Sequence, residues 1–396
     1  MGAKKSKKKK IVLAYSGGLD TSVAIKWFME RGYEVVCYMG DVGQGADAES
    51  ARKRALEIGA VKCVVGDLKK ELLTDYVFRA LKAGALYQDK YNLATALSRP
   101  LIADAMVKVA KKEKADAIAH GCTGKGNDQV RFEVTFHLKA PSLEVYAPVR
   151  EWELKTREDE IDYAREHRIP IEQTKKKLYS IDNNLWGISI ESGKLEDPWF
   201  EPPKDTFISV VPPEKAPQRP EYAEITFDKG IPVEVNGKKL DPVKLVSMLN
   251  RAGGRHGVGR VDMVEDRLVG IKSREVYEAP ASQILYSAHT ALEELVLDRE
   301  TLKYKRGVSQ RYAEIIYNGL WFTPLKEAID AFVDRTQTRV SGTVKVKLYK
   351  GSVIVCGRKS RYSRYRESLA TYGEGDVFDQ SLAKGFIDLW ALPYKK

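Results

Sequence analysis

The segment Ala14, Tyr15, Ser16, Gly17, Gly18, Leu19, Asp20, Thr21, Ser22 follows an apolar run and opens a helical pattern. Gly17 and Gly18 have no Cβ, so backbone N–H groups there can turn inward and approach phosphate oxygens. The hydroxyls of Ser16, Thr21 and Ser22 add donors, and the helix N-terminus adds a partial positive charge of about +0.5. No lysine stands where G-x-x-x-x-G-K-[ST] requires one, so this is not a Walker A loop. Asp20 would repel an anion by itself, and makes sense if it holds Mg²⁺ or water beside the phosphates. A plain Ser/Asp helix cap accounts for Ser16 or Asp20 singly, but poorly for strand, loop and helix together.

A second cluster, His120 to Arg131, reads HGCTGKGNDQVR directly after the apolar run DAIAH. Gly121, Gly124 and Gly126 permit close backbone approach, while Thr123, Asn127 and Asp128 are short polar side chains. Arg131 offers a planar fork matched to a carboxylate, and Asp128 can accept from an ammonium group. Together they suit an α-amino acid, which needs one partner for each charge. The GKG is followed by Asn, so it is not a second phosphate loop. The competing explanation, a Gly-rich surface turn with incidental polar residues, fits less well, and less still beside a phosphate loop.

Positioning these loops requires a sheet. Apolar runs at 11–15, 34–39, 61–66, 116–120 and 143–148 alternate with helical patterns over about Thr21 to Arg31, Glu49 to Ile58 and onward from Lys69. Strands alternating with helices imply crossovers, so the first part of the chain is an α/β domain with a doubly wound parallel sheet, and ligands bind at the carboxyl ends of its strands. Beyond Pro170 a Pro-rich stretch (197–220) precedes hairpin-like runs with an Asn236-Gly237 turn, helices near 242–252 and 281–335, and a hairpin at 343–356. This is a second, α+β domain. The expected division is a lysine-rich tail over 1–10 without structure until Ile11, a nucleotide-binding domain over 11–174, the α+β domain over 175–378, and a short C-terminal segment over 379–396 as a candidate oligomer contact.

The 396 residues carry a formal charge of +11, but six of the lysines stand in residues 1–10. The basic excess is therefore mostly a tail, which argues against a broad nucleic-acid face. Gly2 and Ser6 fit a myristoylation pattern short enough to arise by chance. No apolar run approaches the roughly 18 residues of a membrane span. Four cysteines in neither C-x-x-C nor zinc spacing read as reduced, which fits a cytoplasmic protein without a transition metal.

The AYSGGLDTS run resembles the PP-loop of the N-type ATP pyrophosphatases, which cleave ATP between the α and β phosphates. Joined to HGCTGKGNDQVRFE, and to ALYQDKYNLATALSRP, YSIDNNLWGIS, HGVGRVDMVEDRLVGIKSREVYEAP and GLWFTPL in order, it is similar to the argininosuccinate synthases over nearly the whole chain. The resemblance implies an adenine nucleotide alpha-hydrolase-like first domain and a synthetase second domain, with citrulline, aspartate and ATP as substrates, Mg²⁺, and a homo-oligomer, a tetramer in that family. It implies ATP on Ala14 to Ser22, Gly40 and Gly121, and aspartate on Thr123, Asn127 and Asp128. Citrulline would lie on Tyr91, position 96, Asn127, Arg131, Ser180, Ser189, Glu265 and Tyr277. By their own chemistry Asp20 is assigned to the metal or its water, and Asp128 or a phosphate oxygen takes the proton of the aspartate ammonium. Three departures stand out: Ala96 where many members carry Ser, an end at WALPYKK short of the family's long terminal helix, and the lysine tail. The rival expectations are a tRNA-modifying enzyme that adenylates a base through the same loop, and a non-catalytic ATP sensor.

Overall fold

The computed structural model describes residues 8–45, 47–170 and 179–396. The first sheet contains β1 (Lys9–Ala14), β2 (Tyr33–Asp41), β3 (Lys62–Asp67), β4 (Ala117–Ala119) and β5 (Glu144–Tyr146), all parallel in the order β3-β2-β1-β4-β5. Alternation places Ile11 and Leu13 in one core layer with Val23 and Phe28, and Val12 in the opposite layer with Met106 and Phe136. Helices cover both faces, as the parallel ladder requires: α1 (Leu19–Glu30), α2 (Ala48–Ile58), the short α3 (Lys69–Glu71), a π-helical turn at Leu72–Val77, α4 (Phe78–Ala83), α5 (Ala94–Glu113), α6 (Asp128–Lys139), α7 (Pro148–Glu151) and α8 (Arg157–Glu166). Winding outward from β1 to β3 and then back to β4 makes the β1/β4 junction the topological switch point, where such sheets open a crevice.

The tail expectation needs correcting at its edge. Lys9 and Lys10 are strand residues in register with Tyr33 and Glu34, and the Lys10 amide donates to Asp116 Oδ2 at 2.8 Å. Residues 1–7, with the myristoylation pattern, lie outside the described residues, as does the expected boundary near 175.

The second part holds two antiparallel sheets. One has the order β11-β12-β7-β6, built from β6 (Ser180–Asn184), β7 (Gly187–Glu191), β11 (Arg260–Asp266) and β12 (Lys272–Glu278). The other runs β10-β9-β8-β13-β14, from β8 (Glu221–Asp228), β9 (Ile231–Val235), β10 (Lys238–Lys239), β13 (Gly342–Tyr349) and β14 (Ser352–Lys359). Around them pack α9 (Pro242–Arg255), α10 (Pro280–Val296), α11 (Arg299–Tyr317) and α12 (Pro324–Gln337), so the helical stretch expected over 281–335 is three helices. At the C-terminus lie α13 (Glu367–Ala370) and α14 (Leu382–Ala391), the latter with Phe386, Ile387 and Trp390 exposed. One hydrophobic cluster runs through both parts, joining Leu72, Phe78, Leu81, Leu97 and Leu101 to Trp186, Leu285, Tyr312 and Val346. Among the described residues no helix is long and apolar enough to cross a membrane.

Candidate active site

The loop after β1 has the geometry its glycines allow. Gly17 sits at φ +79°, a region that disfavours any residue with a Cβ, and an added Cβ would meet Ala51 Cβ at 3.2 Å. Gly18 caps α1 with no side-chain hydrogen bond among the described residues, which leaves the first-turn amides uncommitted to a cap. Ser16 Oγ lies 3.1 Å from Thr21 Oγ1, the Gly18 amide donates to Ser16 Oγ at 3.3 Å, and the Tyr15 hydroxyl is 3.3 Å from Ser22 Oγ. Arg54 of α2 donates to the Gly17 carbonyl at 2.9 Å, bringing a cation to the loop that the sequence did not single out. Ala14 ends β1 and Leu19 begins α1, two residues earlier than expected. Gly40 is at the same rim, with its carbonyl taken by Gln44 Nε2 at 2.9 Å.

Asp20 in the first turn of α1 faces Glu160 of α8. Glu160 is 9% exposed, and its Oε2 finds no hydrogen-bond partner among the described residues. Burial, and then the adjoining Asp20 carboxylate, pushes the Glu160 carboxyl up to about 8. The described residues contain no group of three or more His, Cys, Asp or Glu side chains arranged for a metal.

The loop after β4 touches the phosphate loop: a Cβ on Gly121 would lie 2.9 Å from Thr21 Cγ2. Its shape is held by residues of its own motif. Gln129 Nε2 donates to the carbonyls of Gly124 and Gly126 at 2.6 and 3.1 Å, and Arg150 Nη1 donates to Gln129 Oε1 at 2.8 Å. His120 Nδ1 accepts the Cys122 amide at 3.2 Å, so its other nitrogen donates to Glu133 Oε1 at 2.9 Å. Thr123 stands exposed on this loop.

Asp128 and Arg131 open α6 and form a dense ionic knot. Arg131 Nη1 donates to Asp128 Oδ1 at 2.9 Å, and Arg99 Nε of α5 donates to Asp128 Oδ2 at 2.7 Å. Burial opposes the Asp128 charge, but the two guanidiniums outweigh it and hold the carboxyl below its ordinary value. A carboxylate so held is a good ammonium partner and a poor proton acceptor, which works against the expected acceptor role of Asp128. Arg131 Nε donates to the Tyr317 carbonyl at 3.0 Å, while the buried Nη2 finds no partner among the described residues. An unpaired donor on a buried cation costs about 1–3 kcal/mol or more, and a ligand carboxylate would satisfy it.

The four-stranded sheet turns a polar row toward this knot. Asp182, Ser189 and Tyr277 stand opposite one another across β6, β7 and β12, with Ser180 paired to Glu191 next along. Tyr277 donates to Glu265 Oε2 at 2.7 Å, and the Tyr91 ring stacks on Tyr277 at 4.4 Å. Asn127 donates to the Tyr317 hydroxyl at 2.8 Å and accepts the Leu268 amide at 2.9 Å. The expected residues thus form two groups in direct contact, Tyr91 with Tyr277 and Glu265, and Asn127 with Asp128 and Arg131, and Tyr317 joins the two. Ser189 joins them through the sheet ladder, and Ser180 lies exposed at its end. Ala96 is fully buried in α5, and the neighbouring Thr95 hydroxyl donates to Asp182 Oδ2 at 3.0 Å. Asp182 also pairs with Arg99 Nη2. Arg99, Asp182, Glu160 and Tyr317 were not singled out from sequence.

Glu275, on the same sheet, gives a pH prediction. Burial, and then Glu191, pushes its carboxyl up to about 8 despite Arg267 Nη2 at 2.8 Å. Between about pH 4.5 and about 8 the folded chain keeps a proton that the unfolded chain has lost, so this group makes stability fall as pH rises, by up to about 1.4 kcal/mol per pH unit. Glu275→Gln should flatten that slope; thermal unfolding curves across this range with equal slopes for both proteins would refute it.

Burial raises the Cys37, Cys63 and Cys122 thiols above their ordinary value, which makes them poor sulfur nucleophiles. A solved 4-thiouridine synthetase–RNA complex with bound ATP covers 40% of this chain and 40% of its own at 20% identity and a TM-score of 0.31, too loose a likeness to bear on the site. The family comparisons are of another order. Residues 10–170 match the arginosuccinate synthase N-terminal HUP domain, and residues 179–396 match the arginosuccinate synthase C-terminal domain. Argininosuccinate synthases of Thermoanaerobacter sp. (strain X514) and Carboxydothermus hydrogenoformans are each 56% identical over 98% of this chain, and over 95% and 96% of their own lengths. That of Acetivibrio thermocellus is 56% identical over 98% of this chain and 97% of its own. With both halves matched and the identity sustained from end to end, the chain belongs to the argininosuccinate synthase family.

Proposed function

We propose that this chain joins citrulline to aspartate at the expense of ATP, yielding argininosuccinate, AMP and pyrophosphate. The observation that carries the reading is the unpartnered Nη2 of buried Arg131. It sits in a knot with Asp128, Asn127 and Glu265, and the loop leading into that knot touches the phosphate loop. Cations and carboxylates on one side and a Gly-rich anion cradle on the other suit two amino acids presented to a nucleoside triphosphate.

The ureido oxygen of citrulline attacks the α-phosphorus, and pyrophosphate leaves into the loop Ser16 to Ser22, where N–H and hydroxyl donors stabilise it. The adenylated ureido carbon is then attacked by the aspartate amine, and AMP departs. Thr123, Asn127 and Asp128 bind aspartate, with Asp128 on its ammonium. Tyr91, Asn127, Arg131, Ser180, Ser189, Glu265 and Tyr277 hold citrulline. Position 96 adds at most a backbone contact. With Asp128 held ionised by two arginines, the proton of the aspartate ammonium goes to a phosphate oxygen. Catalysis then rests on positioning and on charge stabilisation at phosphorus, without a covalent protein intermediate.

Asp20 and Glu160 are the residues that would hold Mg²⁺, since an orphaned carboxylate oxygen beside a second carboxylate is a donor set for a hard cation. Bound there, the ion would offset charge on the departing pyrophosphate. The same reading takes the enzyme as a cytoplasmic homo-oligomer, tetrameric as the family resemblance implies, and the exposed Phe386, Ile387 and Trp390 of α14 support a contact between copies.

The test is pyrophosphate release with citrulline, aspartate, ATP and Mg²⁺ each omitted in turn, using citrulline labelled with ¹⁸O in the ureido group. Sustained release should require all four, and the label should appear in AMP. Release without citrulline, or label-free AMP, would overturn the adenylate route.

A further inference from the structure

Tyr317 is absent from every residue set above, yet it touches more of the amino-acid knot than any residue in them. Its hydroxyl donates to Glu265 Oε1 at 2.6 Å and accepts from Asn127 Nδ2 at 2.8 Å. Its carbonyl accepts from Arg131 Nε at 3.0 Å, and its ring faces the same guanidinium at 5.0 Å. The ring is fixed in turn by Tyr87, stacked at 3.6 Å, and by Tyr91, edge-on at 6.3 Å.

We propose that Tyr317 is a positioning residue for the citrulline site: it sets the Glu265 carboxylate against the Asn127 amide and turns Arg131 so that one N–H is kept back from the protein.

Three features support this. Tyr277 and Tyr317 each donate to one oxygen of Glu265, which fixes the carboxylate plane from two sides. Burial, and then the Glu265 charge, raises the Tyr317 hydroxyl above its ordinary value, so it remains a donor at working pH. Tyr317 ends α11, where the aligned peptide dipoles make the helix terminus electronegative and suited to a guanidinium. The approach of that terminus to α6 is also close: Gly319 lies at φ +73°, and a Cβ there would come within 2.9 Å of Arg131 Cα. The segment after α11 is therefore shaped to sit on Arg131 itself. The pair Arg131 Nε and Nη1 is consumed by Tyr317 and Asp128, and Nη2 is what remains.

The inference rests on the reading of citrulline as a substrate, so the wild-type protein is measured beside Tyr317→Phe, which keeps the ring and removes the hydroxyl. Initial rates of pyrophosphate release should show the citrulline KM raised about tenfold to a hundredfold, as expected for a lost hydrogen bond to a charged group. The ATP KM should stay within about twofold, and kcat at saturating citrulline should be largely kept. A general structural defect would instead move every constant together, and that result, or an unchanged citrulline KM, overturns the positioning role. Citrulline-independent release by the wild type overturns the substrate reading and the proposal with it; citrulline-dependent wild type with an unaltered variant overturns the proposal alone. Should Tyr317→Phe fail to fold, Gly319→Ala leaves the hydroxyl in place and moves the α11 terminus off Arg131. It should reproduce the citrulline-selective rise, and an unchanged citrulline KM there is equally decisive against it.

Discussion

Replacing Asp128 by asparagine is expected to damage both stability and turnover. Its two oxygens separate Arg99 from Arg131, and each guanidinium contacts one of them. Removing the charge leaves two cations facing a neutral amide in a buried setting, and breaking a buried pair in this way costs about 3 kcal/mol. Arg99 retains Asp182, so the loss falls mainly on Arg131. The same change removes the proposed acceptor of the aspartate ammonium, which should lower kcat/KM for aspartate by about 100-fold or more, on the scale of a lost charge-assisted contact. Urea unfolding gives the first quantity and initial rates the second. A folded Asn variant with unaltered aspartate kinetics would take the ammonium role away from this residue.

Arg131→Lys is the second large effect. Arginine presents three separate nitrogens here: Nε to the Tyr317 carbonyl, Nη1 to Asp128, and Nη2 to neither. Lysine concentrates its donors at one point and cannot span the same three directions. We expect the ion pair with Asp128 to survive in part, so the fold holds. The citrulline KM should rise by roughly 5- to 150-fold, which corresponds to about 1–3 kcal/mol of lost binding. Citrulline titrations at saturating ATP and aspartate check this, and an unchanged KM would show that Arg131 orders the knot without touching substrate.

The sequence made the first sheet legible because a parallel strand buried on both faces is written as an uninterrupted apolar run, as in Ile11 to Leu13 and Val35 to Met39. It was less informative about ends. Lys9 and Lys10 belong to β1 through their backbone bonds, which a charge-based reading of the tail cannot register. The sheet formed by β6, β7, β11 and β12 is not legible in the sequence because one of its faces is a polar site. Asp182, Ser189, Glu265 and Tyr277 interrupt the alternation that marks a half-buried strand. Within the site, the glycine loops were readable from local spacing. The residues that tie the loops together were not. Arg99 meets Asp182 across 83 residues of chain, and Asn127 meets Tyr317 across 190. Local spacing carries no signal for such partners. The one sequence clue to Tyr317 was its place just before the GLWFTPL segment.

The hydrophobic cluster common to both parts also governs how the chain is made. Leu97 and Leu101 of α5 lie on a helix that packs against β6, β7 and α11, and Phe78 and Leu81 of α4 on one that packs against α10, α11 and α12. During synthesis the phosphate-loop sheet emerges complete, while the apolar side of α4 waits for α12, which is translated roughly 250 residues later. At about 5–20 residues per second that interval is about 12 to 50 s. Through it the nascent protein displays a greasy surface on an otherwise finished nucleotide domain, which makes the ribosome-bound half-protein a natural client for chaperones.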